Sequence, residues 1–214
     1  MITGNGQMNL LRNAFLAGLA LVSASATSAP DPLASFLACD AASYPALQEI
    51  AKQANIPTEV RDGKVILLSG TKVSLGKHWE FSQPVEFNDL TLTGILDHDT
   101  TIMGTRLLMW GFYTQQAQSD VAQRIAEVAG EPLQLVQGAY VRSEIWSPKA
   151  TFWTPSDPTQ SAGKLLVDAA ERVLLVEPRS DDATRALLPG AMLTCSVQGA
   201  VSEAALQSSR PDLL

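Results

Sequence analysis

Residues 88–97, Asn-Asp-Leu-Thr-Leu-Thr-Gly-Ile-Leu-Asp, carry the clearest strand pattern in this chain of 214 residues. Leu90 and Leu92 alternate with Thr91 and Thr93, which is typical of a strand with one buried face and one exposed face. The Asn-Asp pair that opens the stretch follows a second apolar alternation and suits the two-residue turn of a β-hairpin. The stretch therefore predicts an antiparallel hairpin near the middle of the chain.

Strand patterns continue on both sides of this hairpin. Residues 65–68 and 106–113 are apolar on both faces, which is typical of central strands. The polar stretch 154–163 predicts an exposed loop instead. Further strands are predicted at 133–136, 139–146, 151–153, 164–168, 172–177 and 192–197.

Three helices are predicted among these strands. Ser43 can cap a helix that runs to about Ala54, and Ser119 can cap a second helix that ends at Gly130. Ser202 can cap a closing helix. Because strands and helices do not alternate regularly, we expect an α+β fold in one domain, residues 43–214, with a mostly antiparallel mixed sheet and about three packed helices.

The N-terminal residues 1–26 have the composition of a cleavable signal peptide. Arg12 is their only charged side chain, an apolar run follows at residues 14–22, and small residues lead to Ala26. Nine apolar residues would span about 14 Å as a helix, too little for the roughly 30 Å core of a membrane. We therefore expect a periplasmic or secreted protein with no stable membrane anchor and a mature chain that begins at Thr27.

Residues 27–42 are expected to form a lead-in segment before the domain. Pro30 and Pro32 oppose a helix there. The segment contains Cys39, and the only other cysteine of the chain is Cys195. Two cysteines in an exported protein usually pair, so the sequence predicts a Cys39–Cys195 disulfide.

The formal charge of the chain is −7 at pH 7. An acidic surface repels phosphate backbones and anionic lipid headgroups, which disfavours binding to nucleic acid or to a membrane surface. The same charge favours a basic partner. We therefore expect another envelope or secreted protein as the partner, with a basic protein favoured by the charge.

Asp97-His98-Asp99 is the most polar cluster in the strand-rich region. A histidine and two carboxylates can bind a divalent metal or orient a general base. On a strand, however, Asp97 and Asp99 would share one face and His98 would lie on the other, so a joint site would need a loop. The favoured interpretation is a solvated turn with no metal and no cofactor, and these three residues are the catalytic candidates of the alternative interpretation.

Two Ser-x-x-Lys pairs, Ser74/Lys77 and Ser161/Lys164, match the spacing found in penicillin-interacting serine enzymes. The companion motifs of those enzymes are missing from the sequence. We therefore interpret both pairs as chance matches.

Aromatic residues gather before the predicted polar loop. Trp146, Phe152 and Trp153 stand beside prolines, so we expect them to be partly exposed and to be candidate binding residues. The other tryptophans are expected to fill the core.

No convergent catalytic set emerges from these patterns. The leading hypothesis is an exported, non-enzymatic module that binds a macromolecule: an inhibitor, an immunity-type protector or an accessory subunit. One alternative is a cell-wall or peptide hydrolase that uses Asp97, His98 and Asp99. Another is a small-ligand binder that uses the aromatic groups.

Overall fold

The hairpin predicted from residues 88–97 is confirmed. Asn88 and Asp89 form its turn, with φ angles of 47° and 63°. This left-handed geometry is tolerated best by Asn, Asp and Gly, and it matches the twist of the two flanking strands. The turn residues that the sequence supplies thus fix the hairpin.

The computed structural model describes residues 1, 31–62, 64–146, 149, 152–164, 166–180 and 186–214. The predicted signal peptide, beyond Met1, lies outside these described residues. The predicted mature N-terminus at Thr27 lies outside them as well.

The described residues form eleven strands. In chain order these are β1 Thr58–Arg61, β2 Lys64–Leu67, β3 Thr71–Val73, β4 Gly76–Phe87, β5 Leu90–Ile102, β6 Thr105–Thr114, β7 Gln134–Val136, β8 Ala139–Trp146, β9 Thr154–Ser156, β10 Ala170–Ser180 and β11 Leu187–Gly199. They also form five α-helices and a final 3-10 turn. These are α1 Pro32–Leu37, α2 Ser43–Gln53, α3 Gln118–Ala129, α4 Pro158–Ser161, α5 Glu203–Ser209 and the turn Pro211–Leu213.

Nine of these strands make one sheet in the order β3-β4-β5-β6-β11-β10-β8-β7, and β9 pairs with β8. Every neighbouring pair is antiparallel. The prediction of a single α+β domain with a large antiparallel sheet is therefore confirmed. The described helices number five, whereas about three were expected.

The two additional helices, α1 and α4, begin with the same device. Asp31 caps α1 by accepting a hydrogen bond from the backbone N–H of Leu33 at 2.9 Å, and Asp157 caps α4 in the same way. The residue after each cap is a proline, whose missing N–H costs nothing at the first helical position. The expectation that Pro32 opposes a helix is therefore wrong. So is the expectation of a loop throughout 154–163, which contains β9 and α4.

Three strand predictions also need correction. β2 pairs only with β1 in a separate two-stranded sheet, so it is not a central strand. The strand predicted at 164–168 does not form at the described residues of that range, because the backbone N–H of Lys164 closes a turn on the carbonyl of Ser161. The strand predicted at 151–153 instead begins at Thr154.

Helix ends follow the predicted signals only in part. Gly130 ends α3 with a φ of 75°, and the hydroxyl of Ser202 caps α5 by accepting a hydrogen bond from the backbone N–H of Ala205. Ser43 and Ser119 are not caps, because α2 starts one residue earlier than predicted and α3 starts two residues earlier. The hydroxyl of Ser43 instead donates to the carbonyl of Asp40.

The strand register assigns residues to two faces of the large sheet. Trp110, Cys195 and Leu174 lie side by side on neighbouring strands and join the core with α1, α2, α3 and α5. We call this the covered face. The next residues along the same strands, among them Met109 and Val173, lie on the opposite side, which we call the open face.

The disulfide predicted between Cys39 and Cys195 is confirmed. It links the segment after α1 to β11, and both cysteines are buried in the core on the covered face. The segment that was expected to lead into the domain is therefore packed into its core. The bond is compatible with an oxidising compartment. In the part of the chain that the structure describes, no helix is long and apolar enough to cross a membrane.

Candidate functional site

A cleft of about 320 Å³ lies on the open face, above β10. Alternation along this strand places Glu171, Val173, Leu175 and Glu177 on that face, while the residues between them join the covered face. The side chains of Val173 and Leu175 form the middle of the cleft floor. A carboxylate stands at each end of the floor.

Residues after β9 form the roof of this cleft. The segment 158–163, which contains α4, crosses the open face beside β8 and β10. Ala162 packs on an apolar cluster formed by Val136, Val141 and Val173. The side chain of Gln137, in the turn between β7 and β8, approaches Gly163 and closes the other side of the roof.

Glu171 holds the roof on the floor through three neutral donors. Its carboxylate accepts hydrogen bonds from the hydroxyl of Ser143 at 2.6 Å, from the amide of Gln198 at 2.9 Å and from the hydroxyl of Ser161. The hydroxyl of Ser156 lies 2.8 Å from that of Ser143. Because the hydroxyl of Ser143 donates its one proton to the carboxylate, the hydroxyl of Ser156 must donate to Ser143. Glu171 is only 2% exposed, so these bonds replace water around a buried anion.

Glu177, at the other end of the floor, is in a different situation. It is half-buried, and no described residue donates a hydrogen bond to its carboxylate or forms an ion pair with it. Burial raises the pKa of this carboxyl above its ordinary value. A cation next to Glu177 would therefore offset the free-energy cost of burying this carboxylate.

The described residues that line the cleft include two glutamates and no lysine, arginine or histidine. Its middle is lined by small and aliphatic side chains. Such a slot suits a group with a positive charge and an alkyl stem, because the stem can cover the apolar floor while the charge meets a carboxylate.

The predicted Asp97-His98-Asp99 cluster is divided between the two faces. All three residues lie inside β5, so the expectation of a solvated turn is wrong, and the chain turns later, at Met103 and Gly104. Asp97 points to the covered face and His98 to the open face, where it is 6% exposed. No group of three or more possible metal ligands occurs among the residues that the structure describes.

Each aspartate of this cluster has an arginine partner. A carboxylate oxygen of Asp97 lies 3.1 Å from the guanidinium of Arg210, and a carboxylate oxygen of Asp99 lies 2.8 Å from that of Arg106. The hydroxyl of Tyr44 also donates to Asp97, at 3.1 Å. Burial, and then the negative charge of Asp97, raise the pKa of Tyr44. These contacts give both aspartates structural roles in ion pairs.

The predicted aromatic group is partly exposed, as expected. Phe152 is 63% exposed, and Trp146 and Trp153 are intermediate. The two tryptophan rings touch edge to face at 5.4 Å between centroids, and Arg172 stacks on Trp153. The indole N–H of Trp153 donates to the hydroxyl of Ser208. The tryptophans therefore make internal contacts, and a binding role for the group stays a prediction.

The Ser-x-x-Lys pairs do not form a catalytic arrangement. The hydroxyl of Ser161 donates to Glu171, whereas the ammonium of Lys164 donates to the carbonyl of Gln160. Ser74 and Lys77 are both exposed, near the turn that joins β3 to β4.

Sequence reasoning missed both glutamates of the cleft. The sequence holds a usable signal, since Glu171, Val173, Leu175 and Glu177 alternate with the core residues of a predicted strand. Alternation shows that the four side chains share a face. It gives no indication that the segment 158–163 would fold over that face and turn it into a cleft.

The chain matches no protein-family model, no curated protein and no solved structure with which it was compared. A function for it therefore rests on the geometry and chemistry of its own residues.

Proposed function

We propose that this chain is an exported, non-enzymatic binding protein whose cleft on the open face takes a basic segment of another envelope or secreted protein. The observation that carries the proposal is the lining of the cleft: a carboxylate at each end, aliphatic side chains between them and no cationic side chain among the described lining residues. A basic segment with apolar neighbours complements this surface in both charge and polarity.

The net charge supports the same partner. The whole chain carries −7, and loss of residues 1–26 would remove Arg12 and bring the charge to −8. A surface of this sign attracts basic proteins over distances of about one Debye length, roughly 10 Å at 0.1 M salt. Export itself is supported by the signal-peptide pattern and by the disulfide.

The contacts of the catalytic candidates favour binding over hydrolysis. A hydrolase that used Asp97, His98 and Asp99 together would need all three at one substrate, but His98 lies on the opposite face of the sheet from the two aspartates. Ser161, the serine of the cleft roof, donates to a carboxylate that already accepts two other bonds. That arrangement anchors the roof.

Site-specific photocross-linking in the cell envelope tests this function. A photoreactive amino acid at Gln137, on the cleft rim, should give an adduct with one protein of net positive charge. Purified, that protein should form a salt-sensitive complex with the mature chain. The matched control is Gln123, which is exposed on α3. An acidic partner, equal adducts at both positions or no adduct at Gln137 would contradict the proposal.

A further inference from the structure

We propose that Glu177 recognises the partner by pairing with one lysine side chain, whose alkyl stem lies along Leu175, while Glu171 holds the cleft together and does not contact the partner. This inference rests on the proposed function and names the residue chemistry of the segment that is bound.

The two glutamates differ in how much of their hydrogen-bonding capacity is already used. Three donors, Ser143, Ser161 and Gln198, fill most of the roughly four acceptor positions of Glu171. A cation that approached this buried group would have to displace one of them. Glu177 can accept a cation without losing a bond to any described residue.

The nearest cation along β10 is already engaged. Arg179 lies two residues after Glu177, and its guanidinium lies 3.1 Å from a carboxylate oxygen of Glu80. The same guanidinium stacks on the ring of Tyr113, 4.5 Å from the centroid. Among the residues that the structure describes, none therefore occupies the carboxylate of Glu177, which can pair with an incoming cation.

The length of the floor constrains the sequence of the bound segment. Glu177 lies six positions after Glu171 along β10, which corresponds to about 20 Å at 3.3 Å per residue. A lysine side chain covers only the first part of this distance. The rest of the floor, with Val173 at its centre, suits apolar side chains that alternate along an extended segment after the lysine.

The test measures binding of the peptide acetyl-Lys-Gly-Leu-Gly-Val-amide to the mature protein by NMR titration and calorimetry. We expect amide shifts at Val173, Leu175 and Glu177. The E177Q variant should weaken binding about tenfold, because the ion pair is half-buried. The control E86Q removes the same charge from an exposed position on β4 and should change the affinity less than twofold.

Three results would overturn the assignment of Glu177. The first is unchanged binding in E177Q. The second is equal weakening in E86Q, which would indicate attraction by net charge alone. The third is equally tight binding of the same peptide with an acetylated lysine, which has no positive charge.

Failure of the inference can be separated from failure of the proposed function. If a basic protein cross-links at Gln137 but E177Q binds the peptide normally, the role assigned to Glu177 is wrong and the proposed function stands. If pentylammonium, a free amine with the lysine stem, binds as tightly as the peptide, the cleft is a site for small amines. That result would overturn the proposed function, which is binding of a protein partner.

Discussion

The guanidinium carbon of Arg210 lies 3.9 Å from the centroid of the Tyr44 ring, on the covered face of the sheet. This stacking joins the C-terminal segment to α2. The guanidinium also pairs with Asp97 at 3.1 Å and with Asp212 at 2.8 Å, and its side chain is 2% exposed. Burial alone would lower the pKa of Arg210, but hydrogen bonding to Asp212 and the charge of Asp97 raise it.

Replacement of Arg210 should therefore be strongly destabilising. Arg210→Ala leaves two partly buried carboxylates without their cation, and we expect it to lower the free energy of unfolding by about 3 kcal/mol. Urea titration measures the change. Arg106→Ala is the matched control, because it removes a more exposed arginine–aspartate pair with Asp99 and should cost less than about 1 kcal/mol. Equal losses in the two variants would contradict a special role for the buried cluster.

The disulfide should contribute to stability. It closes a sequence separation of 156 residues, so its removal by Cys39→Ser and Cys195→Ser together should lower the free energy of unfolding by about 2–5 kcal/mol. Urea titration of the oxidised wild type and the double variant gives the difference. Treatment with reductant should shift the wild type toward the variant and leave the variant unchanged. Alkylation of both thiols in denatured, unreduced wild-type protein would show that the bond is not formed.

The pH dependence of stability should reveal the buried carboxyl of Glu177. Burial raises its pKa in the folded protein above the ordinary value of 4.5, so the native state prefers the protonated form. The wild type should therefore lose stability as the pH rises from the ordinary pKa through the folded pKa. Glu177→Gln stays neutral and should not show this loss.

Denaturation of the two proteins at pH 4 and at pH 7 measures this effect. Glu177→Gln should be more stable than the wild type at pH 7, and the gap should shrink at pH 4. Glu86→Gln, at an exposed position, is the control for general charge effects. A variant that is less stable than the wild type at pH 7 would mean that the carboxylate has a stabilising partner.

The roof of the cleft should loosen when its hydroxyl anchor is removed. Ser161→Ala removes one of the three hydrogen-bond donors to the buried Glu171. We expect it to lower the free energy of unfolding by about 1–3 kcal/mol. Hydrogen exchange should accelerate in residues 158–163. Gln160→Ala, at an exposed position of the same helix, should change neither the free energy of unfolding nor the rate of hydrogen exchange. Unchanged exchange in Ser161→Ala would contradict the anchoring role.

His98 should matter for packing and not for metal binding. The ring of His98 is buried, and its neighbours on the adjacent strands are Gly76 and Met109. His98→Ala should therefore lower the free energy of unfolding by more than about 1 kcal/mol. The melting temperature of the wild type should not change with zinc, calcium or magnesium, since Asp97 and Asp99 face away from His98. A metal-dependent rise that disappears in His98→Ala would overturn this view.

Local sequence signals determined a definite part of this protein. The Asn88-Asp89 turn and the end of α3 at Gly130 depend on residues that tolerate positive φ, and such residues act within a few positions of themselves. The disulfide was determined as well, because a chain with two cysteines allows one intramolecular pairing. The alternation in β10 similarly fixes which of its side chains share a face.

Only the tertiary structure decided which of these elements meet. The apolar run of β2 resembles a central strand, but its partner is β1, since a short apolar pattern does not specify what covers it. The same holds for the candidate site. Glu171 takes its donors from β8, from α4 and from β11, and two of them lie 27 and 28 residues away in the chain. Burying a carboxylate requires all three donors at once, and only the folded packing of these elements brings them together.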